Sequence, residues 1–287
     1  MSSATEAEKK LAGGVAVITG AGAGIGSGFA RRAGELGMTV YVTDISLERA
    51  ESVAKLIRES GGAAEALQVD VSQPVELDKL AEHVFRRHKN VRLLINNAGI
   101  ETMGFSWEIS AARWDATLGI NIAGVIHGVR AFVPRMLASG EESWIANLSS
   151  IGAFGIMPTQ TPYILTKHAV QAFSEGLFTE MKLKGAPIHV CSVMPGMLKT
   201  SIFDAEAGRE EPENATAYRK RMRDMMSAHG MDLDEGCRVM MRQIAEGKFW
   251  VSSQPDMTSG AVARRVGFFK TQQDPEVSED AIHLLGL

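Results

Sequence analysis

Short, β-rich apolar runs alternate with longer stretches of helical periodicity along almost the whole chain. The runs are VAVIT from Val15, TVYVT from Thr39, ALQV from Ala66, RLLIN from Arg92, WIANLS from Trp144, IHVCSVM from Ile188 and FWVS from Phe249. Between them, apolar residues recur at helical spacing. This predicts helices at about Ile25–Leu36, Leu47–Glu59, Pro74–His88, Ala111–Leu137, Tyr163–Leu183 and Asp234–Ala245. Ser46 and Ser72 suit the N-caps of the second and third helices, Pro74 suits a first turn, and Gly61-Gly62 ends the second helix. Strand–helix–strand alternation implies right-handed crossovers and an α/β architecture, a parallel sheet with helices on both faces. No linker or repeat interrupts it, so one domain is expected over 13–253. Residues 1–12 read as a disordered polar tail. In the extension 254–287, AVARRVGFF suits a short amphipathic segment and KTQQDPEVSED a loop or tail.

Composition excludes several classes. The chain has 287 residues, 45% hydrophobic and 22% charged, an ordinary balance with room for a large core. Lys plus Arg total 30 against 34 acids, a net charge of −4, which calls for neither nucleic acid nor an anionic membrane. No apolar run approaches membrane-spanning length, and MSSATEAEKKLAGG lacks the apolar core of a signal peptide, so a cytoplasmic protein is expected. Cys191 and Cys237 are far apart and fit no metal or redox spacing, and the seven histidines form no ligand pair; no metal is expected.

The first strand runs into Thr19-Gly20-Ala21-Gly22-Ala23-Gly24-Ile25-Gly26. GxGxxG from Gly20 fails because position 25 is Ile; GxxxGxG fits Gly20, Gly24 and Gly26. Such glycines let the backbone turn tightly and approach a pyrophosphate at the positive end of the following helix. Asp44 ends the second strand, where an acid meets the adenosine ribose hydroxyls and repels a 2′-phosphate. Ala23 stands where a basic residue would compensate. NAD is therefore expected over NADP. The competing structural readings are a plain tight turn and an Asp44 that only caps the second helix.

Seven motifs in order carry a resemblance: TGAGAGIG at Thr19, Asp70-Val71, NNAG at Asn96, Asn121 in GINIAG, NLSS at Asn147, YILTK at Tyr163 and PGMLKT at Pro195. The chain resembles the short-chain dehydrogenase/reductase family over nearly all of 13–253. The resemblance implies a single doubly wound Rossmann domain with a seven-stranded parallel sheet and helices on both faces. It further implies nicotinamide-dependent oxidation or reduction and a homo-oligomer, a tetramer or else a dimer. Roles follow by position. Tyr163 matches the catalytic acid/base and Lys167 its partner. Ser150 is preferred to Ser149 because it lies thirteen residues before Tyr163. Asn121 matches an asparagine that supports a water relay. Gly20, Gly24, Ile25 and Gly26 match the pyrophosphate loop, Asp70 and Val71 the adenine side, and Asn97, Ala98 and Gly99 the end of the fourth strand. Pro195, Gly196 and Thr200 match the stretch beside the nicotinamide, which Tyr163 and Lys167 also reach.

Those residues permit a definite chemistry. Moving a hydride at a carbinol carbon requires a proton to move on its oxygen, and a free tyrosine titrates near ~10, too high for a neutral-pH base. A cation within ~4–6 Å lowers such a pKa by ~1–3 units. Tyr163 and Lys167 are spaced to lie one helical turn apart on one face. Ser150 would steady the substrate oxygen, and Asn121 would hold a water linking Lys167 to solvent. The plainer alternatives are surface residues at 163 and 167, a turn at Ser149-Ser150, and a buried, satisfied amide at Asn121.

Specificity should come from loops at the C-terminal ends of the strands, the longest covering about 197–232 as a mobile, partly helical lid. Met157 and Met197 read as pocket lining. Met222, Met225, Met226 and Met231 suit either pocket or lid core. Arg219, Lys220, Arg221 and Arg223 read as a solvated face. The expected substrate is a bulky, largely apolar secondary alcohol or its ketone. A 3-oxoacyl thioester reductase using NADPH, and a non-catalytic dinucleotide-binding regulator, remain as alternatives.

Overall fold

Strand β1 (Val15–Thr19) is buried along its whole length. Its side chains alternate between two cores: Ala16 and Ile18 face one, Val15 and Val17 the other. A strand buried on both faces belongs inside a parallel sheet covered by helices. The computed structural model describes residues 4–204, 213–277 and 279–285. The other strands are β2 (Thr39–Asp44), β3 (Ala63–Gln68), β4 (Leu93–Asn96), β5 (Ser143–Leu148), β6 (Ile188–Met194) and β7 (Trp250–Ser252). All are parallel, in the order β3-β2-β1-β4-β5-β6-β7. The fold is thus the single doubly wound Rossmann domain expected. The order reverses between β1 and β4, and a crevice opens there at the carboxyl ends of the strands.

Helices cover both faces: α1 (Gly24–Glu35), α2 (Leu47–Glu59), α3 (Pro74–Phe85), α4 (Ala111–Leu118), α5 (Gly124–Ser139), α6 (Thr161–Lys184), α7 (Glu213–His229), α8 (Leu233–Ala245), α9 (Pro255–Thr271) and α10 (Glu279–Leu285). Side chains of α1, α2 and α8 fill one core; those of α3, α5 and α6 fill the other. Ser46 caps α2 as expected, accepting from the Arg49 amide at 3.3 Å. Ser72 does not cap α3. Gln73 occupies the cap position, and the Ser72 hydroxyl donates to Asp70 Oδ1 at 2.7 Å.

Three expectations change. The helix read as continuous over Ala111–Leu137 contains a π turn, Gly119–Ala123, between α4 and α5. One inserted residue barely disturbs the apolar period, so the pattern reads straight through it. The run Ala111–Ser139 is also long and apolar enough by composition to cross a membrane, contrary to the expectation that no stretch was. Its apolarity has another use: Val129, Phe132, Val133 and Met136 are core.

The second change is at the N-terminus. The segment read as a disordered polar tail has a short 3-10 turn at Glu8–Lys10 and plugs the domain with Leu11, which is fully buried in the core. Glu8 accepts from Arg32 Nε and Nη2 at 3.0 and 2.8 Å and from the Thr5 amide at 2.9 Å. Burial alone would raise the Glu8 pKa, but Thr5 and Arg32 outweigh it and hold the carboxyl below its usual range.

Third, the C-terminal extension is largely the helix α9, with α10 packed on α7. Part of the expected lid, residues 205–212, lies outside the described residues; α7 is its described helical part.

Candidate active site

A continuous cavity of about 1220 Å³ fills the crevice, from Asp44 and Arg49 at one end to α6, α7 and α9 at the other. Its first wall is the glycine loop. Gly20 has φ +61°, and a Cβ there would lie 2.7 Å from Ala98 Cα. Gly24 has φ +51°, in the left-handed region that favours glycine. Ala23 supplies no side-chain cap to α1, so the amide groups of its first turn are left for a ligand. Gly26 sits behind the loop, against Asn97 and Gly20. A Cβ there would lie 2.4 Å from both Asn97 Nδ2 and Gly20 O, so its role is to let α1 pack against the end of β4. Asn97 straps the loop down, its Nδ2 donating to Thr19 O and Gly20 O at 2.9 and 3.0 Å.

Asp44 is buried at the end of β2. It accepts from the amides of Gly22 and Ser46, both at 3.0 Å, and from Arg49 Nη2 at 2.6 Å. It therefore does organise the turn into α2, and it does so on the wall of the cavity. Arg49 was not anticipated. It sits in the first turn of α2, where the basic residue thought absent is in fact supplied.

These features fit a dinucleotide. A glycine cradle a Cβ would fill, an open helix start and an acid at the far end share one cleft with Asp70, Val71, Asn97, Ala98, Gly99, Pro195, Gly196 and Thr200.

At the other end, Ser150, Tyr163 and Lys167 line the same cavity. Ser150 starts the 3-10 turn Ile151–Phe154, its Oγ accepting from the Gly152 amide at 3.0 Å. Lys167 Nζ lies 5.4 Å from the Tyr163 ring centroid and donates to Leu148 O at 2.7 Å.

The electrostatics depart from the expected lowering of Tyr163. Burial pushes its phenol above the ordinary value, Glu101 adds to this, and Ser150 opposes both. Burial also pushes Lys167 down, to about 8, with Glu101 opposing.

Asn121 does not line the cavity. Its Oδ1 accepts from the Ile100 amide at 2.8 Å, and its Nδ2 donates to Ile100 O at 2.9 Å and Thr166 Oγ1 at 3.1 Å. The side chain donates both amide hydrogens and keeps one lone pair of Oδ1. It fixes the loop after β4 against α6.

Around the substrate end, Met157 and Met197 line the cavity. So do Met222, Met225 and Met226 of α7, whereas Met231 packs on the core. Leu198 pairs with Met231, pinning the base of the lid. Of the four lid cations, Arg219 corrects the solvated-face reading, being 5% exposed, while Lys220, Arg221 and Arg223 are exposed. The extension meets its own chain's cavity through Ala261, Arg264, Arg265 and Phe268. Gln254 Oε1 accepts from the Met197 amide at 2.7 Å.

The main omission from the sequence reading is Glu101. It is 5% exposed and on the cavity wall, and burial pushes its carboxyl up to about 8 against the pull of Arg219, Gln160 and Lys167. An acid directly after NNAGI was the available signal.

The sequence profile of the short chain dehydrogenase family matches residues 14–211. The chain belongs to the short chain dehydrogenase family. Its fold matches a short-chain dehydrogenase/reductase from Burkholderia phymatum solved with NAD, with TM-score 0.88 and 29% identity, covering 94% of this chain and 98% of that one. A metagenomic short-chain oxidoreductase solved with NADP matches with TM-score 0.62 and 30% identity, over 66% and 85% of the two chains. Among curated relatives, 1-deoxy-11-beta-hydroxypentalenate dehydrogenase of Streptomyces avermitilis is 28% identical over 265 residues, covering 85% of this chain and 96% of its own. The oxidoreductase EphD of Mycobacterium tuberculosis is 31% identical over 185 residues, and the match spans only 31% of its length.

Proposed function

We propose that this short-chain dehydrogenase interconverts a bulky, largely apolar secondary alcohol and its ketone, with NAD preferred. The observation that carries the reading is the presence of Ser150, Tyr163 and Lys167 on the wall of the cavity whose other end is the glycine loop and Asp44. NAD(P), when bound, supplies the hydride acceptor or donor. Tyr163 exchanges the proton of the reacting oxygen, and the Ser150 hydroxyl holds that oxygen by hydrogen bonding. With its pKa raised, Tyr163 carries its proton at neutral pH; in giving that proton up, and in acting as a base, it depends on the Lys167 cation 5.4 Å from its ring. Asn121 keeps the loop after β4 and helix α6 in register. Glycine-loop backbone and the start of α1 hold the pyrophosphate, and Asp44 meets the ribose.

Methionines on three sides of the substrate end support an apolar ligand of irregular shape. The streptomycete relative, by its name, acts on a hydroxylated pentalenate, an example of such an alcohol. Asp44 supports NAD through repulsion of a 2′-phosphate; Arg49, which would attract one, is already paired with Asp44. A homo-oligomer is part of the proposal. The test is absorbance at 340 nm with NAD or NADP and a panel of secondary alcohols. Turnover with NAD at higher kcat/KM than with NADP is expected. No turnover with any secondary alcohol, or of any ketone with NADH, overturns the reading.

A further inference from the structure

Glu101 stands out within the substrate end of the cavity. Its side chain is on the cavity wall, only 5% exposed, and its Oε1 has no hydrogen-bond partner among the described residues. A buried acceptor without a partner destabilises a fold unless something else gains from it. The residue is also held rigidly. Asn121 clamps the preceding Ile100 through both its amide and its carbonyl, and Arg113 Nη2 donates to the Glu101 carbonyl at 3.0 Å. Beside it on the same wall are two more polar side chains, Gln160 and Tyr218, whose hydroxyl donates to Gln160 Oε1 at 2.9 Å. The surrounding wall is apolar, built from Met157, Met197, Met222, Met225 and Phe203.

We propose that Glu101, with Gln160 and Tyr218, forms a second polar subsite that takes a hydroxyl of the substrate other than the one that reacts. On the reading given above, the substrate is then a diol, or a hydroxy ketone in the reverse direction, with an apolar frame between its two oxygen groups. Glu101 keeps its proton at neutral pH, burial having pushed it up to about 8. A neutral carboxyl both donates to and accepts from a hydroxyl, which suits an alcohol or a phenol. The charged and titratable groups facing it are Arg219 and Tyr218 on α7 and Tyr163 and Lys167 on α6. Glu101 acts on the bound substrate and not on the reacting atoms, so it governs specificity.

The experiment measures dead-end binding of alcohols to the enzyme–NADH complex by nicotinamide fluorescence. Cyclohexanol is compared with the 1,2-, 1,3- and 1,4-cyclohexanediols, and 1-phenylethanol with its 3- and 4-hydroxyphenyl analogues. At least one hydroxylated member should bind the wild type about tenfold more tightly than its parent. The ratio should fall to about one in Glu101→Leu and be partly kept in Glu101→Gln, which retains a donor and an acceptor. NADH binding by each variant checks that it folds. If no hydroxylated member outbinds its parent, or if the gain survives in Glu101→Leu, the subsite is wrong and Glu101 is only an internal partner of Arg219. Absorbance at 340 nm is followed separately. A panel that binds with the expected ratios but never turns over removes the alcohol–ketone reading and keeps the subsite.

Discussion

Tyr163 and Lys167 lie one helical turn apart, and their environment works against easy ionisation of the phenol. The proton it carries is central to the proposed reaction. Tyr163→Phe should therefore lower kcat by about 10³-fold, within the range of lost acid–base catalysis, while the dissociation constant of NADH, read by fluorescence, stays close to wild type. Wild-type turnover in that variant would rule out Tyr163 as the proton carrier. Glu101 makes a prediction about stability. Its ordinary value is 4.5, and burial raises it to about 8 in the folded chain. Its contribution is therefore fully present below about 4.5, and it is lost as pH rises, because the unfolded chain ionises there while the folded one resists. The melting temperature of wild type minus that of Glu101→Gln should fall by several degrees between those two pH values and level off above them. A difference that is flat with pH would show that Glu101 is ionised in the fold.

At the level of elements, two joins decide the site. One is the packing of α1 against the end of β4. Gly26→Ala would put a methyl 2.4 Å from Asn97 Nδ2 and from the Gly20 carbonyl, and neither can retreat without deforming the loop. It should weaken NADH at least about tenfold and lower stability by ~1–3 kcal/mol, measured by fluorescence titration and thermal melting. Gly24→Ala is the informative contrast. Its Cβ would meet only Thr200, at 3.8 Å, leaving just the strain of φ +51°. The second join is the π turn between α4 and α5, which carries Asn121. Had the helix been regular, the register of Asn121 against Ile100 and Thr166 would differ. The Asn121 amide thus links three elements: the loop after β4, this helical run and α6.

For the whole molecule, the notable feature is that the described segments before β1 and after β7 both pack back on the domain. The N-terminal segment is fixed by Leu11 in the core and by the Glu8–Arg32 pair, in which 1% of the Glu8 side chain is exposed. At the other end, α9 places Phe268 on the cavity wall. Phe268→Ala should raise KM for a bulky secondary alcohol by about tenfold and that for propan-2-ol by less, since only a large substrate reaches that wall. Equal changes for both would show that α9 serves only as a cover. By itself the sequence determined the alternation of strands and helices, the glycine spacing after β1 and the line of motifs ending at Pro195. Those features are local, written in periods of two or 3.6 residues and in fixed offsets along the chain. Tertiary structure alone decided that Arg49 meets Asp44, that Gly26 is a packing residue and that Arg219 is buried. It also decided that an acid after NNAGI faces the substrate end and raises the pKa of Tyr163 across the cavity. Each depends on which elements meet in space, and so on burial and on distances between residues far apart in the chain, which no local pattern encodes.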